Sequence, residues 1–273
     1  MKDGDPLVVW GEHLHRKIKR SEVRDMRAFS LFLDECIART KRDEDAVIAV
    51  TGDRGRGKST LSLGASMVLS HRMKRDPAAF TWDNMCYRFE DLGELIDKAG
   101  NNDGLIYNID EAIDVAHSKS AMSRANKELG KFMIRARKLR NIYFWNIPDF
   151  TELDSTIRNK VIQYWIHVFY KSEHRERNKR YGVAALFRKD LNPFNPDKWG
   201  FEETKKIVKR PIHDVFHLIK MFRKTRSYVA TMAFPILPKI IEDMYKAPSF
   251  DALRESGKKF SEEFSGKGSG IKA

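Results

Sequence analysis

The stretch TGDRGRGKST, residues 51–60, lies between two segments of contrasting pattern. Before it, residues 45–50 read DAVIAV, an apolar run that is typical of a buried strand. After it, residues 59–75 read STLSLGASMVLSHRMKR, which favours a helix. Glycine permits a tight curl in which successive backbone N–H groups converge on one point, and the start of a helix adds the positive end of its dipole. The stretch therefore predicts an anion site between a strand and a helix.

Gly52, Gly57, Lys58 and Ser59 fit the pattern G-x-x-x-x-G-K-[ST], so the loop resembles the phosphate-binding loop of P-loop NTPases. The resemblance implies that Lys58 reaches the β- and γ-phosphates of ATP and that the Ser59 hydroxyl binds Mg²⁺. The alternative is a glycine-rich turn that matches by chance, and the strand and helix around the loop argue against it. The predicted nucleotide-binding residues are Gly52, Asp53, Arg54, Gly55, Arg56, Gly57, Lys58, Ser59 and Thr60.

A second apolar strand, LIYNIDE at residues 105–111, ends in two adjacent carboxylates. A buried strand does not carry Asp110 and Glu111 without partners for their charge, although a strand that simply runs into a solvated turn would end in the same way. The resemblance to P-loop ATPases implies that Asp110 holds Mg²⁺, directly or through water. It also implies that Glu111 polarises the water that attacks the γ-phosphate.

Adjacent Asp and Glu at this place mark the P-loop ATPases that have an additional strand between the phosphate-loop strand and the Asp-Glu strand. Residues 46–170 resemble that group, and their layout is similar to that of viral genome-packaging ATPases and HerA/FtsK-type translocases. The resemblance implies an α/β fold of the RecA/FtsK-like type, in which helices cover both faces of a largely parallel central sheet. It predicts that residues 85–89 form the additional strand and that the phosphate-loop strand has two neighbours on either side.

Two further residues gain candidate roles from this resemblance. Asn146 ends the predicted strand NIYFWN, residues 141–146, where related ATPases place a polar side chain that senses the γ-phosphate; alternatively, it turns the chain before Pro148. Arg54 matches an arginine that viral packaging ATPases often carry in the loop, where it would meet developing charge on the γ-phosphate. A solvent-facing or DNA-facing Arg54 is the alternative.

A long helix is predicted from about residue 120 to residue 139, with one apolar side and one basic side. The basic side either faces solvent or follows a phosphate backbone, and its residues are Arg124, Lys127, Lys131, Arg135 and Lys138. In packaging ATPases, an arginine that reaches the ATP of a neighbouring subunit falls in a comparable run. Arg137 is the first choice for that role, and Arg135 and Arg140 are the alternatives.

The composition favours a polyanionic partner, because the 273-residue chain has a formal net charge of +13 at pH 7. Its two cysteines, Cys36 and Cys86, make neither a disulfide framework nor a close metal-binding pair. We identify no apolar run of the length that a membrane span needs. These features predict a cytoplasmic protein, or one of the host cytoplasm if the protein is viral.

Four segments are predicted: a basic lead-in and helix at residues 1–45, a P-loop ATPase domain at 46–200, a helical segment at 201–264 and a flexible tail at 265–273. The features together predict an ATP-hydrolysing DNA motor, a translocase or packaging ATPase that works as a homo-oligomeric ring with ATP and Mg²⁺. Double-stranded DNA is the favoured substrate, and a portal or membrane-associated partner is compatible. The alternatives are a Zot-like assembly or scaffold ATPase and a helicase-loader-like or recombinase-like ATPase.

Overall fold

A computed structural model describes residues 6–19, 24–75, 77–86, 92–94, 96, 103–110, 133, 136–174, 179–192, 194–202, 215–237 and 241. Within them, the strands are β1 (Ala46–Thr51), β2 (Met85–Cys86), β3 (Ile106–Ile109), β4 (Ile142–Asn146), β5 (Tyr164–His174), β6 (Lys179–Arg188) and β7 (Tyr228–Pro235). The α-helices are α1 (Pro6–Lys19), α2 (Arg24–Lys41), α3 (Lys58–Met73) and α4 (Val215–Phe222). Short 3₁₀ and π turns lie at Trp82–Asn84, Arg137–Leu139, Phe150–Glu152 and Ile157–Val161.

The strands form one sheet in the order β2-β3-β4-β1-β5-β6-β7. The five strands from β2 to β5 run parallel, whereas β6 and β7 are antiparallel additions. Every residue of β1 and of β4 is buried, as expected for parallel strands that are covered on both faces. The predicted α/β class with a largely parallel central sheet is confirmed.

The strand between β1 and β3 is β4, so the assignment of residues 85–89 to that place is wrong. Residues 85 and 86 form β2 at the edge of the sheet, beyond β3, and residues 87–89 lie outside the described part of the chain. The physical reason is pairing, because a central strand needs a partner on either side: the five residues of β4 pair with both β1 and β3, whereas the two residues of β2 pair with β3 alone. In addition, β1 has three described strands on either side rather than two.

One face of the sheet is covered by the first three helices. The Phe29 ring of α2 lies 6.4 Å from the Phe234 ring of β7, measured between centroids. Residues 6–19, which were predicted to be part of a basic lead-in, form α1 and pack closely on α3. A Cβ atom added at Gly11 would lie 2.6 Å from the carbonyl oxygen of Met67, so the two helix backbones meet there.

The opposite face carries an aromatic core around Trp165 of β5. Its ring stacks on Phe187 at 4.2 Å and on Phe150 at 4.7 Å, and it meets Phe222 of α4 edge-on at 5.8 Å. Aromatic pairs in these geometries add to the stabilisation from buried area. The segment after β4 and the helix α4 are thereby held against the sheet.

The part of the chain after residue 200 is not only helical. Residues 228–235 form β7, which pairs with β6 in the same sheet as β1. A compact unit extends over Met1–Ile236, and the remaining unit, Leu237–Ala273, has only residues 237 and 241 described. The proposed boundary at residue 200 and the tail at 265–273 stay predictions. No helix in the described part of the chain is long and apolar enough to cross a membrane.

The close approach of α1 to α3 predicts that Gly11→Ala destabilises the fold. The added methyl group has to push the helices apart, and overpacking of this kind typically costs about 1–3 kcal/mol. The free energy of unfolding, measured in urea, should therefore fall. Gly93→Ala is the matched control, because a Cβ atom there meets nothing within 4 Å. Equal stability of the two variants would contradict the packing.

Candidate functional site

The loop between β1 and α3 is built on glycines in conformations that other residues rarely adopt. Gly52, Gly55 and Gly57 have φ angles of 141°, 76° and 102°. A Cβ atom at Gly52 would lie 2.5 Å from the carbonyl oxygen of Val168 on β5, so only glycine fits there. Gly57 then leads directly into α3, whose first residue is Lys58. β1, the loop and α3 make the strand-loop-helix unit of a P-loop NTPase-like fold.

The Lys58 side chain folds back over the start of its own loop. Its Nζ atom donates to the carbonyl oxygen of Gly52 at 2.6 Å and to that of Asp53 at 3.3 Å. The ammonium group therefore lies at the loop, where it is placed to exchange a carbonyl oxygen for a phosphate oxygen. Thr60 follows in the first turn of α3 and is buried.

Ser59 and Asp110 meet although they are far apart in sequence. The Ser59 Oγ atom donates to Asp110 Oδ1 at 3.4 Å, which joins the first turn of α3 to the end of β3. A hydroxyl and a carboxylate are hard oxygen ligands of the kind that Mg²⁺ prefers, and Mg²⁺ usually takes only one or two protein ligands beside water and phosphate. The described residues contain no group of three or more His, Cys, Asp or Glu side chains that could hold a metal ion. The donor set therefore fits Mg²⁺.

Asn146, at the end of β4, lies between the loop strand and the Asp110 strand. Its side chain is 2 % exposed, and Val50, two residues before Gly52, is its neighbour in register on β1. Ser62 Oγ donates to Asn146 Oδ1 at 3.1 Å, whereas the buried Nδ2 has no hydrogen-bond partner among the described residues. A buried N–H group without an acceptor is unfavourable, so this amide suits a ligand oxygen.

The two loop arginines differ in their surroundings. The Arg56 Nε atom lies 3.6 Å from Asp53 Oδ2, and both side chains are exposed. Arg54 is also exposed, which fits a group that faces solvent, DNA or the outer end of a nucleotide. The role of Arg54 therefore stays a prediction.

Several predicted residues lie outside the described part of the chain. They are Glu111 and four members of the basic helix side, Arg124, Lys127, Lys131 and Arg135. Of that basic side, Lys138 is described and is exposed, in the turn Arg137–Leu139. The general-base role of Glu111 and the DNA-binding role of the basic side stay predictions.

Arg137 lies near the amino ends of the parallel strands, whereas its own glycine loop lies at their carboxyl ends. It precedes β4, whereas the loop follows β1, and the two strands are parallel neighbours. The length of a six-residue strand, roughly 20 Å, separates these two ends of the sheet. Burial raises the pKa of Asp45, which precedes β1, and the positive charge of Arg137 is the largest influence that opposes this rise. The exposed Arg137 thus lies away from its own loop, and its role at the ATP of a neighbouring subunit stays a prediction.

The alternative, Arg140, is engaged in ion pairs. Its guanidinium group lies 2.8 Å from Asp43 and also contacts Asp103, which in turn pairs with Arg75. These pairs join the turn before β1 to the turns before β3 and β4. Arg140 therefore has a structural role at the amino ends of the strands, away from the loop.

Sequence reasoning missed a polar contact behind the loop. Thr51 Oγ1 accepts from Trp165 Nε1 at 2.7 Å and lies 3.0 Å from Nδ1 of His167 on β5. Burial lowers the pKa of His167 to about 4, against the opposing charges of Asp53 and Asp149, so the imidazole is neutral at pH 7. The contact holds the residue immediately before Gly52. The only sequence signal was a histidine within the apolar strand pattern VIQYWIHVFYK, residues 161–171.

No protein-family model matches the chain, and no curated protein matches it either. Among solved structures, the chain is similar to the N-terminal domain of zonular occludens toxin from Neisseria meningitidis, with 13 % identity and a TM-score of 0.38 over 73 % of this chain and 98 % of that one. It is also similar to a chain in the structure of the E. coli MS115-1 HORMA:CdnC:Trip13 complex, with 12 % identity and a TM-score of 0.32 over 64 % of this chain and 65 % of that one. Similarities this low carry no argument about function.

The neutral His167 predicts a pH dependence of stability. Its pKa is about 4 in the fold and near 6.5 when exposed, so the unfolded chain binds the proton more readily. Stability should therefore fall as the pH drops from 6.5 towards 4, by up to ~1.4 kcal/mol per unit. His167→Gln should lack this part of the slope in urea unfolding at about pH 7.5, 6 and 5. Equal slopes for both proteins would contradict the buried neutral imidazole.

Proposed function

We propose that the chain is a Mg²⁺-dependent ATPase. The observation that carries this proposal is the meeting of Ser59 and Asp110, at 3.4 Å, beside a glycine loop that ends in Lys58. A chance glycine turn would not need a carboxylate from another strand at the first turn of its helix. The phosphate-loop pattern and the metal-ligand pair support each other because they come from separate parts of the sequence.

The loop and the helix start would bind the phosphates. Backbone N–H groups around Gly55 and Gly57 and the N-terminus of α3 offer hydrogen bonds and a positive dipole end. Lys58 would leave the carbonyl oxygens of Gly52 and Asp53 to bind the β- and γ-phosphates. Ser59 and Asp110 would hold Mg²⁺, which when bound neutralises charge on the phosphate oxygens.

Hydrolysis requires a water molecule that attacks the γ-phosphorus atom while the bond to the bridging β,γ-oxygen breaks. Glu111 follows Asp110 directly, and we assign to it the acceptance of the water proton. The Asn146 amide, whose buried Nδ2 has no described partner, would donate to a γ-phosphate oxygen or orient the water. ADP and inorganic phosphate are then the products.

The work that ATP hydrolysis performs is proposed to be movement of DNA by a ring of subunits. The net charge of +13 supports a polyanionic partner. The ring follows from the proposed role of Arg137 at the ATP of a neighbouring subunit, a role that an exposed residue far from its own loop could perform only in another copy of the chain. A nucleotide-dependent scaffold that does not move DNA is the competing outcome, and it would show little stimulation of ATP turnover by DNA.

Lys58→Ala and Glu111→Gln should separate binding from hydrolysis. Loss of the ammonium should abolish ATP binding, whereas Glu111→Gln should keep ATP affinity and lower turnover by about 10²- to 10⁴-fold. Fluorescent-nucleotide binding and phosphate release measure the two properties. Lys41→Ala, an exposed lysine at the end of α2, is the control and should match the unmodified protein. Equal loss of ATP affinity in both site variants would contradict the assignment of phosphate binding to Lys58 and of water activation to Glu111.

The DNA proposal predicts a change in salt dependence. Lys131→Ala combined with Lys138→Ala should weaken binding to a DNA duplex and reduce the slope of log K against log[salt] by about one unit for each phosphate that the chain no longer neutralises. Basal ATP turnover should not change. Lys41→Ala with Lys220→Ala removes the same charge from other exposed positions and is the control. An unaltered slope in the first variant would contradict the DNA-binding role, and the basic side of the predicted helix would then only face solvent.

A further inference from the structure

The chain that follows β6 forms a loop, residues 190–199, of which all but residue 193 are described. Two large apolar side chains of this loop are exposed, Leu191 to 72 % and Phe194 to 91 %. Among the described large apolar side chains, Phe194 has the highest exposed fraction. Single exposed apolar residues are common, so the surroundings of Phe194 decide whether it has a role.

The loop that carries Phe194 is held in place by its own hydrogen bonds. Asp190 Oδ1 accepts from the backbone N–H of Asn192, and Asn192 Oδ1 accepts from that of Phe194 at 3.1 Å. Asn195 Nδ2 donates to Asp190 Oδ2 at 2.6 Å, which closes the turn around Phe194. An aromatic ring on a backbone that is already fixed loses little conformational entropy when it binds a ligand.

The base of the loop is anchored in the aromatic core. Trp199 is buried, and its ring meets Phe150 edge-on at 4.9 Å. Its Nε1 atom donates to the carbonyl oxygen of Arg158 at 3.2 Å, and Ser227 Oγ donates to its own carbonyl oxygen at 2.5 Å. Phe194 therefore stays in solvent although the loop on either side of it is fixed.

Positive side chains are built into the same loop. Lys198 Nζ donates to the carbonyl oxygen of Asn192, two residues before Phe194. Arg226, which precedes β7, lies 2.7 Å from Asp190, and half of its side chain is exposed. Both cations are therefore held at the loop that carries the exposed ring.

Further positive charge lies where the loop meets the sheet. Lys160, which precedes β5, and Arg188, which ends β6, are both exposed. Lys189 Nζ donates to the carbonyl oxygen of Lys160 at 3.4 Å. Burial lowers the pKa of Lys189 to about 8, and neighbouring positive charges, Arg39 first among them, lower it as well against the opposing charge of Asp45. The cations here are close enough to repel one another, so an anion is favourable at this place.

The two acidic side chains of the loop are engaged within it. Asp190 accepts from loop N–H groups and pairs with Arg226. The two carboxylate oxygens of Asp197 accept from the backbone N–H groups of Phe201 and Glu202, each at 2.9 Å. Hydrogen bonds therefore occupy both carboxylates, and the cations around the loop are the charges that remain for a ligand.

We propose that this loop binds single-stranded DNA, with Phe194 stacked on a base and Lys198, Arg226 and Arg188 beside the phosphates, an inference that rests on the proposed DNA motor. One nucleotide supplies both a flat apolar face for the ring and an anion for the cations. A duplex keeps its base faces stacked inside, so it would engage the cations alone. A second copy of the chain fits less well, because it carries the same net charge of +13.

The experiment compares two labelled oligonucleotides of about 12 nucleotides, one of thymidines and one with the same backbone but no bases. Phe194→Ala should weaken binding to the thymidine oligonucleotide by roughly tenfold, the effect of losing one stacked base, and leave binding to the abasic one unchanged. Phe194→Tyr keeps the ring and should restore the affinity. Phe216→Ala removes a 71 % exposed ring from α4 and is the matched control.

The charge of the loop is tested separately. Lys198→Gln keeps a donor for the Asn192 carbonyl oxygen but removes the positive charge. It should weaken binding to both oligonucleotides equally and reduce the slope of log K against log[salt] by about 0.7 for one phosphate contact. Lys41→Gln removes the same charge from the end of α2 and should change neither value.

Three outcomes would overturn the stacking role. They are an equal loss of affinity for both oligonucleotides in Phe194→Ala, no loss for either, and a loss of self-association with DNA affinity unchanged, which would make Phe194 a contact between copies of the chain. If the unmodified protein binds neither single strands nor a duplex, the DNA proposal itself fails. If it binds a duplex but does not prefer the thymidine oligonucleotide to the abasic one, the stacking role alone fails.

Discussion

The close approach of Gly52 to the Val168 carbonyl group is the constraint on which the site depends. No side chain fits between them, so the backbone of Gly52 lies directly against β5. The chain leaves the sheet at this residue with a positive φ angle. The chain can then curl through Gly55 and Gly57 and begin α3 above the carboxyl ends of β1, β4 and β3. Only from that starting point does the first turn of the helix bring Ser59 to Asp110.

The loop is anchored by contacts of different character on the two faces of the sheet. On the α3 face, the polar pairs of Ser62 with Asn146 and Ser66 with Asn108 lie in an otherwise apolar interface. On the opposite face, Thr51 is held among aromatic rings by Trp165 and a neutral His167. The first set consists of buried side-chain hydrogen bonds, whereas the second consists of stacked rings that are each packed on several others.

Local spacing explains what the sequence predicted well. The strand, the glycine loop and the helix follow from a pattern within about thirty residues, and the burial of β3 up to Asp110 follows from its apolar run. The strand order does not follow, because it depends on which strands pair across the sheet, and β4 rather than β2 pairs with both β1 and β3. Likewise, β7 needs β6 as a partner before its apolar residues are recognisable as a strand. The contact of His167 with Thr51 can be recognised only once β5 is known to pair with β1.

The contact of α2 with β7 has a consequence for how the chain acquires its structure during synthesis. Phe29 and Phe234 are separated by roughly two hundred residues, and such distant pairings are slow because a long loop must close first. A ribosome releases α2 well before β7 exists, so the side of α2 that contacts β7 stays uncovered for most of translation. This helix is therefore exposed to chaperones and to premature association, and completion of the sheet at β7 ends that interval.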